Sequence, residues 1–152
     1  MVSPRFKQLR RSYGFDEVAI VPGDITVNPD QTNIDLEIGD FTFSIPILAS
    51  AMDAVVDVNF ATLMNKLGGL AVLNLDGVQT RYDNPHEVLA EIIQASNDNV
   101  TSLLQKVYSQ SIKENLIGER IQAIKKSEAV CAVSVAPANT KRLAPIAAEA
   151  QA

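Results

Sequence analysis

Three short runs along the chain are apolar at nearly every position: Ile45-Pro-Ile-Leu-Ala, Gly69-Leu-Ala-Val-Leu-Asn and Ala129-Val-Cys-Ala-Val-Ser-Val. Runs of this length without polar alternation mark strands buried on both faces, the usual state of a parallel sheet. Elsewhere the apolar positions fall at helical spacing. Val58, Ala61, Leu63, Met64 and Leu67 predict a helix capped by Asp57 and stopped by Gly68-Gly69. Val88, Leu89, Ile92 and Ile93 predict a second, opened by Asn84 in the cap position, Pro85 at the first helical residue and Glu87 at the third. Asn97-Asp98-Asn99 interrupts that pattern. Helices then follow over Val100–Tyr108 and Glu114–Lys126, the latter with Leu116, Ile117, Ile121 and Ile124 on one side. Pro137 to Ala152 returns to helix, restarting with Pro145 in its first turn, and the stretch from Asp76-Gly77 to Arg81-Tyr82-Asp83 reads as a loop.

The order is strand–helix–strand–helices–strand–helix, which implies an α/β fold of parallel strands joined by crossover helices, with both sheet faces covered. Upstream of it, Gly14, Pro22, Gly23, Pro29 and Gly39 break the chain into loops, and Ile34/Leu36/Ile38 and Phe41/Phe43 alternate about Gly39-Asp40 as a small hairpin. The organisation expected is an arm and hairpin over residues 1–44, then a strand–helix region over 45–152. Three parallel strands make a poor closed core, and a barrel of eight such units takes about 250 residues. The sequence therefore reads as the first part of something longer.

At 152 residues and 47% apolar content the chain has room for a sizeable core. A net charge of −5 argues against a nucleic-acid partner, which needs clustered Lys and Arg. The charge is uneven: residues 1–11 hold Arg5, Lys7, Arg10 and Arg11 without an acid, whereas residues 12–65 hold nine acids and neither Lys nor Arg. The basic arm reads as a solvated terminus lying on an acidic neighbour. One Cys excludes a disulfide framework and a multi-thiolate zinc site, and points to a reducing, cytoplasmic setting. No apolar run reaches the ~18 residues a membrane helix needs, so no membrane partner is expected. No cluster of His, Cys or acids has metal-ligand spacing, and Gly68-Gly69 lacks the spacing of a dinucleotide fingerprint.

At Phe15-Asp-Glu-Val-Ala-Ile-Val-Pro-Gly, Ile45-Pro-Ile-Leu-Ala-Ser-Ala-Met-Asp and Gly68-Gly-Leu-Ala-Val-Leu-Asn, the chain resembles the IMP dehydrogenase/GMP reductase family, and within it the dehydrogenase-related subfamily that lacks CBS domains. The resemblance runs over about residues 9–152. It implies the N-terminal part of a (β/α)8 TIM barrel, about three of its eight strands, preceded by the loop and hairpin extension. Such barrels react at the C-terminal ends of their strands. The implied substrate is a purine nucleotide, IMP or GMP, in a homotetramer of the full-length protein. The implied reaction is oxidation of IMP to XMP with NAD, through a Cys-linked thioimidate; NADPH-dependent reduction of GMP to IMP and ammonia is the alternative. A non-catalytic nucleotide-binding or assembly module is a third reading. The family nucleophile lies in a loop absent from this chain, so no catalytic residue is expected here and the chain alone is expected to be inactive. Any monovalent cation is expected to bind outside this segment.

The resemblance gives Ser50 and Met52 the role of nucleotide contacts after the first barrel strand. A thioether suits a flat ring because it is unbranched and polarisable; by itself, a methionine near a strand end is packing. Asp53 is expected to satisfy backbone N–H groups of the turn before the next helix, with a ribose contact or an acid role as alternatives. Asn74 ends the second strand as a polar residue next to cofactor or substrate, although family dehydrogenases often carry His just after this strand and Asn74-Leu75-Asp76 stands here instead. His86, the sole histidine, reads as a surface residue at a helix start. Cys131, in a buried strand, reads as core, its thiol desolvated and unreactive.

Overall fold

A computed structural model describes residues 10–152. The basic arm over residues 1–11 falls outside them except for Arg10 and Arg11. Two compact units divide the chain at Asn33/Ile34. In the first, the Arg11 guanidinium lies 5.0 Å from the Tyr13 ring centroid. A single 3-10 turn, Pro29–Gln31, is closed by Thr32, whose N–H and hydroxyl both donate to the Pro29 carbonyl.

The second unit opens with the expected hairpin. Strands β1 (Leu36–Ile38) and β2 (Phe41–Phe43) pair antiparallel, with Leu36 opposite Phe43 and Ile38 opposite Phe41. Gly39 takes the turn at φ +59°, a conformation that costs a side-chain-bearing residue. Next comes a three-stranded parallel sheet in the order β3 (Leu48–Ala49), β4 (Leu70–Asn74), β5 (Ala132–Ser134). Leu48 and Ala49 stand beside Leu70 and Ala71, and Asn74 beside Ser134. All three strands are thus parallel, as the apolar runs predict. β3 is short because Pro46 has no N–H to give the ladder, although Ile45 N–H still bonds the Gly68 carbonyl at 3.1 Å.

Six helices complete the unit: α1 (Val58–Lys66), α2 (Val78–Arg81), α3 (Pro85–Gln94), α4 (Asn97–Ser109), α5 (Glu114–Lys125) and α6 (Thr140–Glu149). The core lies between the sheet and α1, α5 and α6. Val56, Leu73, Leu75, Ile117, Ile121, Ile124 and Leu143 are its fully buried side chains. The four α5 residues predicted to share a face, Leu116, Ile117, Ile121 and Ile124, are all buried. Asp57 caps α1 as its position predicts, accepting from Phe60 N–H at 2.7 Å. Gly68 ends the connection after α1 at φ +89°.

Several expectations need correction, among them the apolar faces predicted for α1 and α3, where Leu63, Leu67 and Ile93 are exposed. Helices cover one sheet face only; Val72, Asn74, Ala132 and Ser134 alternate with the buried positions and stay half-buried or exposed. In a (β/α)8 barrel that inner face is filled by side chains from strands across the barrel. Residues 78–81 form α2 rather than a loop. Asn97-Asp98-Asn99 starts α4 rather than breaking a helix: the Ser96 carbonyl accepts from Asn99 and Val100 N–H, and Asp98 favours the first turn of a helix. Pro145 sits inside α6, not in its first turn. Burial of Leu143 and Ala147 on either side offsets the missing donor. Asn84 precedes α3 as predicted, but its side chain makes no cap bond.

Candidate functional site

In a parallel sheet, residues that follow the strands gather at one edge. Ser50 and Met52 follow β3, Asn74 ends β4, and Ala136 and Asn139 follow β5, so all of them lie at the C-terminal rim. Ser50 is exposed and Met52 is 52% exposed. A tight turn presents them: Met52 N–H bonds the Ser50 carbonyl at 2.8 Å, and Val55 and Val56 N–H bond the Met52 carbonyl at 3.0 and 2.9 Å. Val56, 1% exposed, anchors the loop in the core.

Asp53 faces inward along the rim. Its Oδ1 accepts from Asn74 Nδ2 at 2.9 Å, and its Oδ2 accepts from Val78 N–H at 3.1 Å and from the Tyr108 hydroxyl at 2.7 Å. The backbone N–H it satisfies belongs to the start of α2, 25 residues away, not to its own turn. This explains why α2 forms where local sequence shows only a loop: the cap comes from Asp53, in the loop after β3. Asn74 in turn accepts from Asp76 N–H through Oδ1 at 3.0 Å. Asp76 accepts from Ala136 N–H and Asn139 Nδ2, tying the end of β4 to the end of β5. One polar lattice therefore spans all three strand ends.

Tyr108, on α4, and Arg81, on α2, complete that lattice. Arg81 Nε donates to the Asp76 carbonyl at 3.0 Å and Nη1 donates to the Gln110 carbonyl, while the guanidinium stands 5.9 Å from the Tyr108 ring centroid. Burial, helped by the bond and the charge of Asp53, pushes the Tyr108 phenol up to about 12. The phenol is a hydrogen-bond donor at any neutral pH, and the Asp53 carboxylate is taken up by three donors. The phenol is not poised for proton transfer. Ser50, Met52, Ala54 and Val55 are the exposed side chains of the loop, Ser50 carrying its hydroxyl and Met52 its thioether.

The remaining two candidates stand apart. His86 is exposed, its Nε2 3.5 Å from Oδ2 of the α1 cap Asp57. Cys131 precedes β5, at the opposite edge of the sheet from Ser50, and is 8% exposed. Burial raises its thiol to about 11, the neighbouring Lys125 charge opposing only in part. Sequence reasoning missed Tyr108, Arg81, Asp76 and Asn139. Asp76 carried a weak signal, an acid just past a strand end beside a glycine; Tyr108, 55 residues from Asp53, carried none. Among the described residues no group of three or more His, Cys, Asp or Glu could hold a metal ion. No helix among them is long and apolar enough to cross a membrane.

Comparison with known proteins agrees with this geometry. A family model described as the IMP dehydrogenase / GMP reductase domain matches residues 12–143. An uncharacterized oxidoreductase of Mycolicibacterium smegmatis is 30% identical over 141 residues, covering 90% of this chain and 38% of that protein. An inosine-5'-monophosphate dehydrogenase of Methanocaldococcus jannaschii is 33% identical over 67 residues, 44% of this chain and 14% of that enzyme. The crystal structure of an IMP dehydrogenase/GMP reductase-like protein from Corynebacterium glutamicum superposes with a TM-score of 0.83 at 28% identity, over 95% of this chain and 40% of that one. The chain spans well under half the length of the relatives it matches, and its three strands are a portion of the family's (β/α)8 barrel. Sequence and fold agree that this chain belongs to the IMP dehydrogenase/GMP reductase family.

Proposed function

We propose that the chain supplies part of the purine-nucleotide site of an oxidoreductase that converts IMP, NAD and water to XMP and NADH. The observation that supports this reading best is the exposed Ser50–Met52 loop, held over the C-terminal rim by the bonds between Asp53 and Asn74. In this role Met52 lays its thioether against the purine and Ser50 offers its hydroxyl to the base or ribose. The lattice of Asp53, Asn74 and Asp76 holds the loop still, so little freedom is lost when the nucleotide arrives. NAD, when bound, accepts the hydride released from the purine C2; the residues after β4, Asn74 and Asp76, are committed to the rim lattice, and no group on this chain is assigned to the cofactor. Cys131, buried just before β5, is not assigned as the nucleophile; that role goes to the loop Cys that the family resemblance implies.

The test uses the full-length protein, assayed with IMP plus NAD beside GMP plus NADPH. Turnover of the first pair supports the proposal; turnover of the second pair alone replaces it with GMP reduction. Met52→Ala is expected to raise the nucleotide KM about two- to tenfold while the fold stays intact, on the scale of about 0.3–1.5 kcal/mol for a lost sulfur contact with a flat ring. An unchanged KM returns Met52 to packing.

A further inference from the structure

Three donors hold the Asp53 carboxylate, and they are not equivalent. Asn74 and Val78 lie four residues apart at the end of β4 and the start of α2, and together they fix Asp53 to one short segment. Tyr108 is the donor that comes from a separate element, 55 residues along the chain on α4. Its ring is itself held: the Arg81 guanidinium stands beside it, and the Tyr82 hydroxyl donates to the Val107 carbonyl at 3.1 Å, fixing the last turn of α4. Tyr108 is 41% exposed, and its bond to Asp53 Oδ2 is itself exposed to solvent. Among the described residues, Asp53 is the polar anchor between the Ser50–Val56 loop and the rest of the rim.

We propose that Tyr108 is a positioning residue for the nucleotide site: its hydroxyl sets where Asp53 lies, and so where Met52 and Ser50 stand over the strand ends. This rests on the nucleotide role of Met52 proposed above. Val78 N–H and the Tyr108 hydroxyl share Oδ2 while Asn74 alone holds Oδ1, so loss of the phenol leaves one donor on each oxygen, both from the β4–α2 segment, and removes the hold of α4 on the carboxylate. The loop follows, because Met52 is the neighbouring residue. Tyr108 touches no reacting atom in this scheme and acts only through Asp53.

Tyr108→Phe in the full-length protein deletes the hydroxyl and keeps the ring. The expected result is a nucleotide KM raised about three- to tenfold with kcat within about twofold, the scale of one net intramolecular hydrogen bond, since only part of the bond to Asp53 is felt at the nucleotide. The Met52 methyl resonance in a methionine-methyl NMR spectrum of the free protein is expected to shift or broaden. Asp53→Asn, which weakens the acceptor, is expected to give the same KM effect. If Met52→Ala raises KM while Tyr108→Phe leaves both KM and the Met52 resonance unchanged, this inference fails and the nucleotide reading stands. If Met52→Ala itself has no effect on KM, the nucleotide reading fails and takes this inference with it. Equal loss of kcat and thermal stability in Tyr108→Phe, with the Met52 resonance in place, marks the hydroxyl as a fold determinant only and also overturns the inference.

Discussion

Gly77 offers a quantitative test of the rim lattice. A Cβ built on it would lie 1.7 Å from Asp53 Oδ1, 2.2 Å from Cγ and 2.4 Å from Oδ2, all far inside contact distance. Its φ is −95°, so the backbone itself accepts alanine. With free space, Gly77→Ala should stabilise by about 0.4–1 kcal/mol through the unfolded chain. Here the carboxylate must move instead, and it cannot move without releasing Asn74, Val78 and Tyr108. A hydrogen bond to a charged acceptor contributes about 1.5–3 kcal/mol, and the half-buried carboxylate recovers much of that from water once it swings out. The loss comes to about 3 kcal/mol, including roughly 1 for the uncapped start of α2. After the entropic gain, Gly77→Ala should cost about 2–3 kcal/mol, or a Tm lower by about 5–10 °C for a chain of this size. Thermal and urea unfolding followed by far-UV circular dichroism measure it. The control is the same substitution in an Asp53→Ala background, where no carboxylate obstructs the methyl and the added cost should be near zero. The coupling of the two changes should then be about 2 kcal/mol or more. Equal costs in both backgrounds, or a Gly77→Ala protein as stable as the parent, would refute the reasoning.

Other consequences follow from the shifted groups. Tyr108 has its folded pKa raised to about 12 from an ordinary value near 10, so the stability its bond contributes is complete below pH 10 and is lost as pH rises through 12. Absorbance at 295 nm should show one of the three tyrosines ionising late, and that step should vanish in Tyr108→Phe; a titration unchanged by the substitution would contradict the burial and bonding assigned to the phenol. Cys131, with its thiol raised to about 11, should react with a disulfide reagent at pH 8 far more slowly in the native protein than in urea. Fast native labelling would place it outside the core.

Much of the fold was legible because it rests on local periodicity. The apolar runs at Ile45, Gly69 and Ala129 announced three buried strands, and the α5 stripe from Leu116 to Ile124 named a core face residue by residue. Asp57 and Gly68 announced the ends of α1 and its connection, since capping is decided within a few residues. The errors fall where a distant group decides the outcome. Residues 78–81 carry no helix signal of their own, and α2 forms under a cap lent by Asp53. Pro145 reads as a helix start, yet Leu143 and Ala147 bind the turns on both sides of it to the core.

The candidate site divides along the same line. Ser50, Met52 and Asn74 were named because each follows an apolar strand, and parallel pairing alone sends such residues to one rim. Sequence alone therefore determined the three parallel strands, the buried face of α5 and the family. Only the tertiary structure decided what Asp53 does, that Tyr108 meets it across 55 residues, and that Gly77 has to leave its carboxylate room. The physical reason is range: hydrophobic spacing and caps act within a turn or two of chain, whereas a hydrogen bond between loops depends on where the packed core delivers them.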